Sequence, residues 1–427
     1  MHQDDNIEHN DGRAEAAETI EQSDFNYDIS RRSLLRHGLR SGLTLGAAAG
    51  LAFALGSGSA EAQTAPEPPP PPPNGRPPRD GRPPRDGDGR GPRPTPAAAT
   101  FFGEHQAGIV TPPPTNVEFV TLDLVTSERA DVVALFQRWT EAGNRLTTNA
   151  TTVTFGLGAT FFDRLSLQAL RPSNLAMPSF SNDALLAAYT GGDLALQVCA
   201  ESEAAATAAT AELEALASGV AEVRGTQRGF RAPTAPRQTG RNLLGFKDGT
   251  VNPPFTDGLT ADQVIWVGSE GPTWLQGGSY LAMRRIRLDI AAWDATSVTA
   301  QEAVIGRDKE TGAPLTGTEE RDRADFRERD ASGQLVIAAD AHIRRARQNN
   351  GGARILRRGY NYQDSATDAG LLFLSYQRDP AQFTRIQASL AASDALNRFS
   401  TVLGSGLWAV PPGAASGGWL AEGLLGS

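Results

Sequence analysis

The chain has 427 residues, 39% of them hydrophobic, and its 49 acidic and 40 basic side chains give a formal charge of −9. That length suffices for two ordinary domains, and the acidic total argues against a general nucleic-acid binder, whose footprint is a net basic domain. One cysteine, Cys199, excludes an intramolecular disulfide and a CxxC metal site, and reads as a buried, inert strand thiol.

In chain order, the first 100 residues do not read as a folded domain. Arg31-Arg32 precede the apolar run GLTLGAAAGLAFALGSGSA, and Ala60-Glu61-Ala62 supplies small residues for cleavage before Gln63. A charged start, an apolar stretch and an A-x-A site make residues 1–62 a signal peptide of the twin-arginine type. The expected route is the twin-arginine translocase, and the expected destination the periplasm or the extracellular space. That route carries folded proteins and suits a chain that takes up a cofactor before export. Residues 63–100 are Pro-rich, with GRPPRD at 75–80 and again at 81–86, and read as an extended linker.

From Phe101 onward the pattern is βαββαβ, twice. VEFVTLDLV (117–125) reads as a strand. Ser127 then caps a helix with Val132, Leu135, Phe136 and Trp139 at helical spacing. TTVTFGLG (151–158) and DLALQVCA (193–200) are strands, SEAAATAATAELEALA (202–217) is a helix, and AEVRGTQRGF (221–230) returns to strand. The second half repeats the order. It has strand 278–290, helix 294–306, strands 353–362 and 370–378, a helix begun by Asp379-Pro380, and strand 401–410. The fold expected is α+β, a tandem of two ferredoxin-like domains with antiparallel sheets, at 101–235 and 236–427.

Three of the five histidines, His2, His9 and His37, precede the cleavage site, so the mature chain keeps His105 and His342. A metal site built from several histidines is then hard to assemble, whereas one axial imidazole on a haem needs only one. His342 lies in an arginine-dense stretch, and Arg344, Arg345 and Arg347 are candidates for pairing with haem propionates. The other reading of these arginines is a solvated charge run. A second element is GFKDGTVNPP (245–254), in which Gly245 and Gly249 flank Asp248; by itself it is also a plain Asp-Gly turn.

Together, Gly-x-x-Asp-Gly, a histidine 94 residues after Asp248, ILRRGYNY and GLLFLSYQRDP resemble the dye-decolorizing peroxidase family. FFGEHQAGI, GGDLALQVCA and GSYLAMRRIRLDIAAW extend the resemblance over most of 101–427, toward the exported subgroup that includes deferrochelatase/peroxidases. The resemblance implies one haem b per chain, hydrogen peroxide as oxidant, and dyes or other small organic molecules as reductants. It makes His342 the axial ligand of the haem iron, Asp248 the distal acid–base residue and Arg357 the distal arginine. Gly249, Thr250 and Val251 would lie against the haem. The family often continues after its histidine with Asn-Pro-Arg. Here Arg347-Gln348-Asn349 stands instead, so Arg347 becomes the candidate propionate partner. His105 is assigned a structural or haem-periphery role. The competing reading is an exported haem-binding or iron-delivery protein with iron-uptake partners; a third is an electron-transfer haem protein. A homo-oligomer is compatible with all three. Strand alternation allows only one of Arg357 and Arg358 to face the haem, with Ile355 sharing the face of Arg357.

Overall fold

The computed structural model describes residues 99–234, 238–252, 258–347 and 351–426. The expected signal peptide and all but the last two residues of the expected linker lie outside the described residues. The described residues belong to one compact unit.

The first half runs β1 (Asn116–Leu124), α1 (Arg129–Leu146), β2 (Thr151–Gly158), β3 (Leu194–Ala200), α2 (Glu203–Ala217) and β4 (Ala221–Phe230). The second half contains β5 (Ser279–Leu288), α3 (Val298–Ile305), α4 (His342–Arg347), β6 (Leu356–Arg357) and β7 (Tyr360–Gln363). It continues with β8 (Ala369–Gln377), α5 (Pro380–Ser393) and β9 (Ser400–Val410), and a short helix follows at Glu422–Leu425. All nine strands join one sheet, in the order β5-β9-β2-β3-β1-β4-β7-β8-β6, and antiparallel pairing of β5 with β8 closes it into a barrel-like form. The architecture is therefore α+β around an antiparallel sheet.

Period-two alternation builds two cores from the same strands. Val120, Leu122, Val153, Phe155, Leu196, Val198, Leu407 and Ala409 face outward under the helices, against Val132, Leu135, Phe136 and Trp139 of α1. Their neighbours Val117, Phe119, Ala195, Cys199, Leu281, Met283, Leu372, Leu374, Trp408 and Val410 fill the sheet interior. Cys199 is buried there, as expected. A third cluster, Leu244, Phe246, Leu288, Trp293, Val304, Ile305 and Ala395, lies under the Gly-x-x-Asp-Gly turn.

Two local expectations change. The cap of α1 is Glu128, without a side-chain cap bond, so Ser127 does not have that role. Residues 353–362 are not one strand but two short ones, β6 and β7. The backbone N–H and C=O of Arg357 are taken by the Asn252 side chain, at 3.1 and 2.8 Å. By contrast, Asp379 forms a full capping box with Gln382, with Pro380 in the first turn of α5.

Candidate active site

Asp248 stands at the end of a tight turn that the sequence builds locally. Asn242 accepts from the amides of Leu244 and Phe246, the Phe246 carbonyl accepts from the Asn242 amide, and Gly245 has φ +83°. Leu244 and Phe246 anchor the turn in the third cluster, where the Trp293 indole donates to the Leu244 carbonyl at 3.0 Å. The Asp248 amide donates to Gly240, and Gly249 follows at φ +110°, a conformation that suits glycine. The Asp248 carboxylate accepts from Arg357 Nη1 at 3.2 Å.

Arg357 and Arg358 separate as alternation requires. Ile355 belongs to the outer core, while Leu356 points into the sheet interior. Arg358 also points inward, 2% exposed, and donates to the carbonyls of Ile109 and Thr111. Arg357 reaches Asp248 instead.

His342 opens α4, which packs against α5. Its Nδ1 lies 2.6 Å from Asp394 Oδ2. An ionised carboxylate only accepts, so Nδ1 carries the proton and Nε2 is the free lone pair. Asp394, 3% exposed at its side chain, is held in turn by the Leu396 amide on Oδ1. Burial disfavours the charged imidazole, but the Asp394 carboxylate outweighs it and holds the His342 pKa above the ordinary histidine value. Arg357 and Asp248 also act on the ring through space, with opposite signs. The imidazole keeps 30% of its surface accessible. Asp248 and Arg357 keep nearly the same share, 29% and 31%.

The donor set fits a haem. One imidazole, fixed at Nδ1 by a carboxylate behind it, turns Nε2 outward, the usual support for a metal-bound histidine. Among the described residues no group of three or more His, Cys, Asp or Glu could hold a bare metal ion. An acid and a guanidinium bound to each other line a cleft together with Gly249, Asn252, Gly359 and Leu371.

The other expected residues divide. Arg344 is 5% exposed, donates to the Ile337 and Ala338 carbonyls and covers the Phe326 ring; Arg345 donates to the Ser389 carbonyl. Both tie α4 to backbone carbonyls of neighbouring segments. Arg347 is exposed at the end of α4. The Thr250 hydroxyl turns to Glu320 at 3.0 Å, and Val251 is 51% exposed. His105 has a structural place: Nδ1 pairs with the Gly277 carbonyl at 2.6 Å and the ring stacks on Trp266 at 3.7 Å. Sequence reasoning missed Asp394, Asn252 and Glu320. Nothing in the sequence marks Asp394, which follows an ordinary helix and lies 52 residues from its partner.

The fold is α+β around an antiparallel sheet, and it carries an acid–guanidinium pair, Asp248–Arg357, and a carboxylate-supported imidazole, His342–Asp394. Residues 106–231 match the N-terminal Dyp-type peroxidase family model, and residues 239–415 match the C-terminal one. The dye-decolorizing peroxidase of Thermobifida fusca is 38% identical over 75% of this chain and 83% of that protein. The deferrochelatase of an Escherichia coli O6:K15:H31 strain is 34% identical over 73% and 84%. Among solved structures, ferric DtpA from Streptomyces lividans superposes with a TM-score of 0.74 at 37% identity, over 77% of this chain and 97% of that one. The chain belongs to the Dyp-type peroxidase family.

Proposed function

We propose that this peroxidase works with one haem b per chain, held by His342 Nε2, and uses hydrogen peroxide to oxidise dyes or other small organic donors. The observation that supports the reading is a pair of ion pairs, His342–Asp394 and Asp248–Arg357, with the second acting on the His342 ring through space. Haem iron, when bound, supplies the site that takes up peroxide and the electrons that break its O–O bond. Asp248 takes the proton from one peroxide oxygen and returns it to the other, so that water can leave. Arg357, bound to Asp248, orients the carboxylate and offers guanidinium donors to the charge that develops as the bond breaks. Asp394 accepts from Nδ1 and so keeps His342 electron-rich and correctly turned. Gly249 allows close approach of the backbone to the flat ligand, and Thr250 and Val251 continue that edge. Arg347 remains the proposed propionate partner in this chain, while Arg344 and Arg345 bond backbone carbonyls.

The proposal extends to the rest of the chain. Residues 1–62 direct export by the twin-arginine translocase to the periplasm or beyond, and 63–100 act as a spacer. The halves 101–235 and 236–427 are two ferredoxin-like units. The strand neighbours β4-β1-β3-β2 in one half and β7-β8-β5-β9 in the other support this reading. The similarity to a deferrochelatase favours one second reading, iron release from haem with iron-uptake partners. Absorption spectra of the purified, haem-loaded protein before and after peroxide, with product analysis, separate the two. A peroxide-driven spectral change coupled to dye oxidation supports the peroxidase. Metal-free porphyrin with free iron supports the alternative.

A further inference from the structure

We propose that Glu320 is a positioning residue for peroxide activation: its carboxylate fixes the 247–252 segment, which carries Asp248 and grips Arg357. The proposal rests on the peroxidase reading above. Three donors from two stretches of chain converge on this one carboxylate. Lys247 Nζ donates to Oε2 at 2.7 Å, Thr250 Oγ1 to Oε1 at 3.0 Å, and Thr239 Oγ1 also to Oε1. Lys247 and Thr250 are the residue before Asp248 and the second residue after it, so the clamp brackets the acid.

The anchor is itself fixed. The Glu320 carbonyl accepts at 3.0 Å from Arg307, which is 8% exposed and also donates to the Gly312 carbonyl. A Cβ at Gly312 would fall 2.7 Å from Lys247 Cδ, so glycine there leaves the path by which the lysine stem reaches Glu320. At the other end of the segment, Asn252 holds both backbone polar groups of Arg357. The Asp248 carboxylate and the Arg357 guanidinium, 3.2 Å apart, therefore hang from one short segment that Glu320 secures from outside the cleft. The Glu320 and Lys247 side chains are 19% and 22% exposed, so the pair is shielded more than an ordinary surface ion pair. His342 and Asp394 come from other elements, α4 and the residue that ends α5.

The test is rapid mixing of haem-loaded protein with hydrogen peroxide, for wild type, Glu320→Ala, Glu320→Gln, Lys247→Met, the Glu320→Gln/Lys247→Met double variant and Asp248→Asn. Glu320→Ala is expected to slow the peroxide step by roughly 10²-fold, the order of loss from misplacing a reacting group by about an ångström. Haem content and the absorption band should stay those of wild type. Glu320→Gln and Lys247→Met should each lose less. The double variant should fall short of the product of their separate losses, because both remove the same clamp. If Glu320→Ala does not retain haem, Glu320→Gln decides, since it keeps the side chain's size and one acceptor. A wild-type peroxide rate in Glu320→Gln, or independent effects in the double variant, overturns the proposal. Asp248→Asn at wild-type rate would instead overturn the peroxidase role of Asp248. Asp248→Asn impaired beside unimpaired Glu320 variants removes only the positioning role.

Discussion

Adjacent arginines on one short strand meet opposite environments, and the difference can be measured. Arg357→Leu removes a donor aimed into the cleft and should keep haem while slowing the peroxide step by at least ~10²-fold. Arg358→Leu acts elsewhere. Its guanidinium is buried inside the closed sheet against the Ile109 and Thr111 carbonyls, and losing it strands those acceptors. The expected cost is about 1–3 kcal/mol for each buried acceptor left without a partner, read as a lower melting temperature. A near-normal peroxide step in Arg357→Leu beside a severe loss in Arg358→Leu would reverse the two assignments. A second residue-scale test falls on Asp394. Asp394→Asn leaves an acceptor for Nδ1 but removes its charge, and should weaken haem retention by roughly 10–100-fold, the range for lost partners behind a metal-bound histidine. Titration of the haem-free protein with hemin reads this directly, and unchanged retention would show that the carboxylate does not support the ligand.

At the scale of elements, the strands were legible as short runs rich in apolar and β-branched residues, the signature of a sheet buried on both faces. Phe119 and Val120, or Trp408 and Ala409, are all apolar, yet each pair divides between two cores. The Asp379 cap of α5 was legible for a similarly local reason, since capping uses groups within four residues. The hold of Asn252 on the Arg357 backbone was not, because the two residues are 105 positions apart. The same limit hid Asp394 and Glu320, whose roles exist only once distant segments meet. His342 and Asp248 could be nominated as candidates because one is a rare residue and the other sits in a local motif. Loop-to-strand ties can be tested by pH. Arg378, just after β8, bonds the Glu270 carboxylate and the Asp262 carbonyl. The Arg378 hydrogen bond holds the Glu270 carboxyl down to about 2, below its ordinary value of 4.5. A lowered acid contributes stability above the ordinary value and loses it as pH falls toward about 2. Glu270→Gln should therefore melt lower than wild type near neutral pH, with the gap closing below pH 4.5. The Glu270 side chain is 48% exposed, so the gap should stay under about 1 kcal/mol. A gap that widens in acid would contradict the assignment.

For the whole molecule, two matched family segments pose the question of whether the halves fold as independent bodies. The hydrogen-bonded seams between them are thin. β2 meets β9 at Leu157–Ala409 and Gly158–Trp408, and β4 meets β7 at Phe230–Asn361 alone. The interior core is not thin, because it draws Val117, Phe119 and Cys199 from one half and Leu281, Leu374, Tyr376 and Trp408 from the other. Trp408 makes the coupling specific. From β9 its indole donates to the Gly192 carbonyl at 3.1 Å and packs edge-on to Phe119 at 5.4 Å. Gly156 on β2 makes room for it, since a Cβ there would lie 2.9 Å from Trp408 Cβ. Shared apolar burial of this kind, more than the few seam bonds, decides cooperativity. Thermal unfolding of the haem-free protein is therefore expected to show one transition, with amides of β1–β3 and of β5 and β8 losing exchange protection together. Trp408→Ala should cost about 3–5 kcal/mol and lower both sets of amides by the same amount, although the substitution lies in the second half. Two separated transitions, or a Trp408→Ala effect confined to the second half, would mean that each half carries its own stability and that the closed sheet joins two bodies that fold alone.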